Sequence, residues 1–220
     1  MKSICILYAT REGQTQRIAE HVAAELRVRG FTVAVTNVRD HAARSSLHTS
    51  AAAILAASVH AGRHEPAMLQ FVKEHRDKLE CLPTAFLSVT LSEAGAERSD
   101  ATPEEHAQFV ADVHKVLDRF FAETRWHPAH VKPVAGALLY THYNCLIRFV
   151  MKCIAKHAGG STDTSRDHVY TDWVALDRFV AELVEAFASS AMETGSVSRR
   201  NGSESPGTVG QPGLVSGSEA

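Results

Sequence analysis

Thr10, Arg11, Glu12, Gly13, Gln14 and Thr15 form a short polar stretch between an apolar run and a helical pattern. A stretch of this kind, ahead of a helix, is where main-chain amides converge on an anion. Thr10 and Thr15 add hydroxyl donors, and Gly13 lets the backbone turn close to a ligand. The loop has no GK[ST] ending of a triphosphate loop, and its single glycine does not make the GxGxxG dinucleotide fingerprint. A mononucleotide phosphate is the ligand that remains. The hexapeptide taken alone is equally compatible with an ordinary strand-to-helix turn capped by threonine.

The elements around the loop weigh on that choice. Residues 3–8 read as a strand, and Ile18, Val22 and Leu26 place one apolar face on the helix that follows, which stops near Gly30. Residues 31–38 read as a second strand and residues 51–59 as a third, weakened by alanines, with the connection 40–50 between them the hardest to read. Met68, Phe71, Val72 and Leu79 predict a helix, residues 83–91 a fourth strand, residues 103–123 a long helix and residues 134–140 a fifth strand. Strands alternating with helices imply a doubly wound α/β fold, a five-stranded parallel sheet covered on both faces. Ligands in such sheets gather at the carboxyl ends of strands near the switch point, where residues 10–15 lie.

Composition narrows the remaining classes. A chain of 220 residues, 45% of them hydrophobic, suits one domain, and a formal net charge of −2 gives no global reason to expect nucleic acid. Cys5, Cys81, Cys145 and Cys153 make no CxxC pair, so reduced thiols are expected. The thirteen histidines show neither HExxH nor a cysteine-flanked spacing, and no metal site is inferred. The chain opens without the apolar length of a secretory signal and has no apolar run of membrane-spanning length, which leaves surface attachment open. Residues 1–188 are expected to fold, with an insertion at about 141–168, while the Gly/Ser/Pro-rich segment 189–220 is expected to be disordered.

Five segments together resemble one family: Tyr8-Ala-Thr-Arg-Glu-Gly-Gln-Thr15, Ala57-Ser-Val-His-Ala-Gly62, Phe71-Val-Lys, Gly159-Gly-Ser-Thr-Asp-Thr164 and Val169-Tyr-Thr-Asp-Trp173. They are similar to the menaquinone-dependent protoporphyrinogen IX dehydrogenases, flavodoxin-like enzymes of haem biosynthesis, over residues 1–187. The resemblance implies a flavodoxin-like sheet of order 2-1-3-4-5, FMN as cofactor, protoporphyrinogen IX as substrate and a membrane quinone, menaquinone or ubiquinone, as electron acceptor. It implies that Thr10, Arg11, Glu12, Gly13, Gln14 and Thr15 surround the FMN phosphate, with Gln16 offering a further amide, and that Ser88, Val89, Thr90, Leu91, Ser92 and Gly95 border the isoalloxazine. Electron-carrier flavodoxins stack the flavin between aromatic side chains, but residues 58–64 and 90–95 contain no Trp, Tyr or Phe, so a flavin face is expected to stay open to a large planar substrate and the reduction potential to lie above a carrier's.

The insertion resembles that of long-chain flavodoxins. Within it Arg148, Lys152 and Lys156 recur every fourth residue on one helical face, either as a solvated charged face or as a contact for anionic lipid or the porphyrin propionates. The expected location is peripheral, on the cytoplasmic side of the inner membrane, or otherwise cytoplasmic. His60 and His64 are candidates for a proton relay, or simply loop residues, and Arg63 between them could pair with a propionate. Tyr140, Tyr143 and Trp173 line either the substrate side or the core. An NAD(P)H-dependent quinone or flavin reductase is the competing enzyme. A non-catalytic flavodoxin carrier is the other rival, disfavoured by the mild net charge and the missing aromatic rings.

Overall fold

Apolar runs short enough for strands become strands buried on both faces, as a parallel sheet between helix layers requires. In the computed structural model, which describes residues 3–138 and 163–200, the first of these is β1, Ser3–Ala9. It alternates strictly. Ile4, Ile6 and Tyr8 enter one core with Ile18, Val22 and Leu26 of α1 (Gln14–Val28) and with Leu176, Val180 and Leu183 of the last helix. Cys5, Leu7 and Ala9 enter the other core, on the opposite face.

The remaining parallel strands are β2 (Thr32–Asn37), β3 (Ala52–His60), β5 (Thr84–Thr90) and β6 (His130–Ala135), ordered β2-β1-β3-β5-β6. This is the expected 2-1-3-4-5 order once β4, Arg63–His64, is set aside as a two-residue antiparallel return on β3. The second core is closed by α2 (Ala42–Thr49), α3 (Pro66–Glu80) and α5 (Pro103–Thr124), with Leu47, Met68, Val72, Phe120 and Trp126 among its buried residues.

Several boundaries differ from the sequence expectation, each for a physical reason. The hard-to-read connection 40–50 contains α2, held by only Ala43 and Leu47 as buried residues, too few to mark an apolar period. The fifth parallel strand is β6, which begins four residues before the expected 134. It tolerates Pro133 because it is an edge strand with one neighbour, β5. After Gly136 the chain starts β7 (Ala137–Leu138), which pairs antiparallel with β8 (His168–Val169). The stretch after β5 is not an open loop but α4 (Leu91–Ala96), whose N-cap Thr90 accepts a hydrogen bond from the Ser92 amide at 3.2 Å. The last helix, α6 (Trp173–Arg200), continues beyond the expected boundary at 189, since extending a formed helix costs far less than nucleating one. Arg148, Lys152, Lys156, Tyr140 and Tyr143 lie outside the described residues.

Candidate functional site

At the carboxyl ends of β1, β3 and β5 the chain opens into a cavity of about 490 Å³, within the roughly 300–1,000 Å³ of small-molecule sites. One end is the start of α1. Gly13 sits there at φ 94°, a left-handed conformation that suits glycine, and no side chain caps the helix. The Thr10 hydroxyl accepts from the Gly13 amide at 3.1 Å, and the first one-turn helical bond runs from the Arg17 amide to the Gly13 carbonyl. The amides of Gln14, Thr15 and Gln16 therefore precede the first helical donor, Arg17, and have no acceptor within the helix. No acidic residue occupies this first turn. Thr15 Oγ1 and, across the cavity, Ser58 Oγ are buried without a hydrogen-bond partner among the described residues. Buried hydroxyls left unsatisfied cost free energy unless a ligand meets them. These features fit a phosphate monoester.

The walls fit a flat ring. One is the hairpin β3–β4, contributing Ser58, Val59, His60, Ala61 and Gly62, and the other is Val89, Thr90, Leu91 and Ser92 at the end of β5. Gly136 and Ala137 close one side, and Asp112, Lys115, Val116 and Arg119 of α5 border the mouth. No Phe, Tyr or Trp is among these lining residues. The hairpin turns at Ala61 (φ 49°) and Gly62 (φ 70°), so its tip presents one methyl group and one bare backbone.

The sequence-based candidates separate into those that line the cavity and those that do not. Thr10, Glu12, Gln14 and Thr15 line it, together with Val89, Thr90, Leu91 and Ser92. Gln14 also ties the loop down, its side-chain nitrogen donating to Thr171 Oγ1 at 3.0 Å while Thr171 donates to the Ala135 carbonyl at 2.7 Å. Gln16 turns along α1 and donates to Glu20 at 2.9 Å. Arg11 points away from the cavity and donates from Nε to Glu65 Oε1 at 2.6 Å. Ser88 does not line the cavity, because its buried hydroxyl lies 2.9 Å from His64 Nε2. Nor does Gly95, which packs on α5 so closely that a Cβ would lie 2.7 Å from the Phe109 ring. Trp173, at the start of α6, packs against the core and against the His21 ring at 4.8 Å between centroids.

The two candidate histidines differ in kind. His64 is 6% exposed, packed against both Phe86 and Phe120, and burial pushes its pKa down to about 4. It stays neutral at neutral pH and behaves as a core residue. His60 lies on the cavity wall, where burial lowers its pKa, with opposing contributions from Glu12, 4.0 Å away, and Glu65, 3.8 Å away, and a lowering contribution from Arg11. A neutral imidazole flanked by two carboxylates can take up a proton.

Glu65 was not among the candidates. Its side chain is 1% exposed, and it gathers Arg11, Arg39 (3.4 Å) and His60 around one carboxylate. Three loops, after β1, β2 and β3, are thereby fixed to each other. No sequence signal distinguishes this glutamate, since its partners lie up to 54 residues away. Lys115 and Arg119 were missed because cations four apart on a helix ordinarily read as a solvated face. Among the described residues no group of three or more His, Cys, Asp and Glu side chains could hold a metal ion, and no helix is long and apolar enough to cross a membrane.

With this geometry in place, comparison with known proteins is informative. A flavodoxin domain family model matches residues 5–165. The chain is 33% identical to a protein named protoporphyrinogen IX dehydrogenase [quinone] from Escherichia coli K12, over 83% of this chain and 94% of that one. It is 30% identical to a protein of the same name from Leishmania major, over 81% of this chain and 73% of that one. Among solved structures, oxidised flavodoxin 1 from Bacillus cereus superposes with a TM-score of 0.44 at 16% identity, over 84% of this chain and 98% of that one.

Proposed function

Because the chain belongs to the protoporphyrinogen IX dehydrogenase [quinone] family and carries its flavodoxin domain, we propose that it is an FMN-dependent oxidoreductase that converts protoporphyrinogen IX to protoporphyrin IX and passes the electrons to a quinone. When bound, FMN would supply the redox chemistry between substrate and quinone. The protein's contribution is to bind, orient and handle protons. The first-turn amides of α1, with the Thr10 and Thr15 hydroxyls, hold the phosphate, and the Val89 to Ser92 side and Ser58 hold the ring. His60, neutral and lone-paired near neutral pH, is the proton acceptor on the open side, with Glu12 and Glu65 stabilising its cation. The Glu65 clamp is a positioning element, since it holds the loops that carry Arg11, Arg39 and His60.

The observation that carries this reading is the bare start of α1 joined to a ring-sized slot with no Phe, Tyr or Trp among its described lining residues. An anion is needed at one end, and a large planar substrate has room at the other. The basic residues Arg148, Lys152 and Lys156 extend the proposal to a membrane surface, where a lipid-soluble quinone resides. Replacing all three with glutamine is expected to weaken sedimentation with anionic vesicles.

The deciding experiment is anaerobic mixing of FMN-loaded protein with protoporphyrinogen IX and, separately, with NADPH, following flavin bleaching. Bleaching by protoporphyrinogen, with recovery on adding a quinone, is the expected outcome. Bleaching by NADPH alone identifies a reductase, and bleaching by neither identifies an electron carrier.

A further inference from the structure

Next to the first cavity lies a second, of about 340 Å³, and the two share His60, Ala61, Val116 and Arg119. Its floor is apolar, built from Pro66, Leu69 and Phe120, while Arg63 of β4 and Arg119 of α5 stand at its rim. Both guanidiniums converge on one carboxylate. Arg63 Nη2 donates to Glu123 Oε1 at 3.0 Å, and Arg119 Nε lies 3.7 Å from that same oxygen. Arg119 also reaches the Gly62 carbonyl at 3.5 Å, which ties α5 to the hairpin tip. Glu123 is the only carboxylate among the described lining residues, against three arginines, and the third, Arg11, is already engaged by Glu65.

We propose that this second cavity receives a carboxylate-bearing edge of the oxidisable substrate, with Arg63 and Arg119 as the residues that select for the carboxylate and Glu123 as the internal anion it displaces. The inference rests on the functional reading above, since protoporphyrinogen IX is a flat ring system carrying propionates. The cavities meet at His60, Ala61, Val116 and Arg119, so a ring that extends from the first cavity into the second passes the Ala61 methyl beside the Arg119 guanidinium. Apolar ring surface then rests on Leu69 and Phe120 while a propionate meets two guanidiniums, whose planar forks match a carboxylate. Exchanging the Glu123 carboxylate for a substrate carboxylate is nearly balanced, because the resident pairs are half exposed, with Arg63 at 62% and Arg119 at 51%. Glu123 therefore competes with substrate, and removing its charge must strengthen substrate binding.

The test uses the full-length, FMN-loaded protein. Arg63→Gln and Arg119→Gln are each expected to raise KM for protoporphyrinogen about tenfold, the scale of a charge-assisted hydrogen bond, with kcat little changed. Glu123→Gln is expected to lower KM several-fold, the opposite direction. Wild type prefers the free diacid over its dimethyl ester, and the double arginine variant loses that preference. Fluorescence titration with protoporphyrin IX must follow the same order of affinities. Equal acid-to-ester preference in wild type and double variant, or weaker porphyrin binding in Glu123→Gln, overturns the proposal. If wild type binds FMN but leaves protoporphyrinogen unoxidised, the activity reading fails, and the porphyrin titration by itself still decides the assignment of the cavity.

Discussion

Two of the helices that border the cavity, α1 and α5, begin in opposite ways. α5 starts with a complete capping box: Thr102 accepts from the Glu105 amide at 3.2 Å, Glu105 accepts from the Thr102 amide at 2.9 Å, and Glu104 and Glu105 add negative charge to the first turn. α1 starts at Gly13 with no side-chain cap, no acid and a buried unpartnered hydroxyl on Thr15. A missing cap costs about 1 kcal/mol, so a helix start buried at a cavity and left bare makes sense where a ligand does the capping. On the proposed function, one helix start serves folding and the other serves binding.

The sharpest way to break this contrast is to place a charge in the bare turn. Thr10→Asp keeps an acceptor for the Gly13 amide but sets a carboxylate against the FMN phosphate. We expect FMN affinity to fall by about 100-fold or more, given roughly 4 kcal/mol for like charges at close range near a protein surface, while the apoprotein melts no lower. Isothermal titration and thermal melts of the apoprotein check both halves, and unchanged affinity would remove the phosphate from this loop.

An acid titration separates core from site in a second way. The unfolded chain protonates a histidine near its ordinary 6.5, but buried His64 does so only at about 4. Its contribution to stability is full above pH 6.5 and is lost as pH falls toward 4, on the order of 3 kcal/mol. Urea unfolding at pH 7 and pH 4.5 is expected to show this loss in wild type and a flatter response in His64→Gln. A smaller effect follows from Thr15→Ala, which removes the unpartnered hydroxyl: FMN binding weakens roughly tenfold, and apoprotein stability stays level or rises. The smallest is Thr102→Ala, which costs about 1 kcal/mol of stability and leaves FMN binding unchanged. A loss of FMN affinity in Thr102→Ala would mean that the two helix starts do not divide the work as described.

Much of the fold was legible because its signals are local. The apolar runs of β1, β2, β3 and β5, the period of α1, and the helical run from Pro103 that forms α5 each lie within one element. The alanines that weakened the reading of β3 are buried between β1 and β5 and covered by helices on both faces, where packing overrides strand propensity. β6 was placed late because an edge strand needs fewer apolar residues and accepts Pro133. In the site, the glycine turn ahead of α1 was legible because strand, glycine and helix are contiguous. The segment Val169-Tyr-Thr-Asp-Trp173 was legible only as a family mark, and its work becomes clear when Thr171 is seen bridging Gln14 and Ala135.

The sequence by itself determined that a parallel sheet forms and that the loop after β1 sits at its ligand end, because both follow from residue periods and chain connectivity. Only the tertiary structure decided that His64 turns into the core while His60 faces the cavity, that Glu65 gathers Arg11, Arg39 and His60, and that Arg63 and Arg119 share Glu123. These depend on which way a side chain points and on partners 26 and 60 residues apart, in the ion pairs of Glu65 with Arg39 and of Arg63 with Glu123. Orientation and long-range pairing carry no local signature, so packing alone settles them.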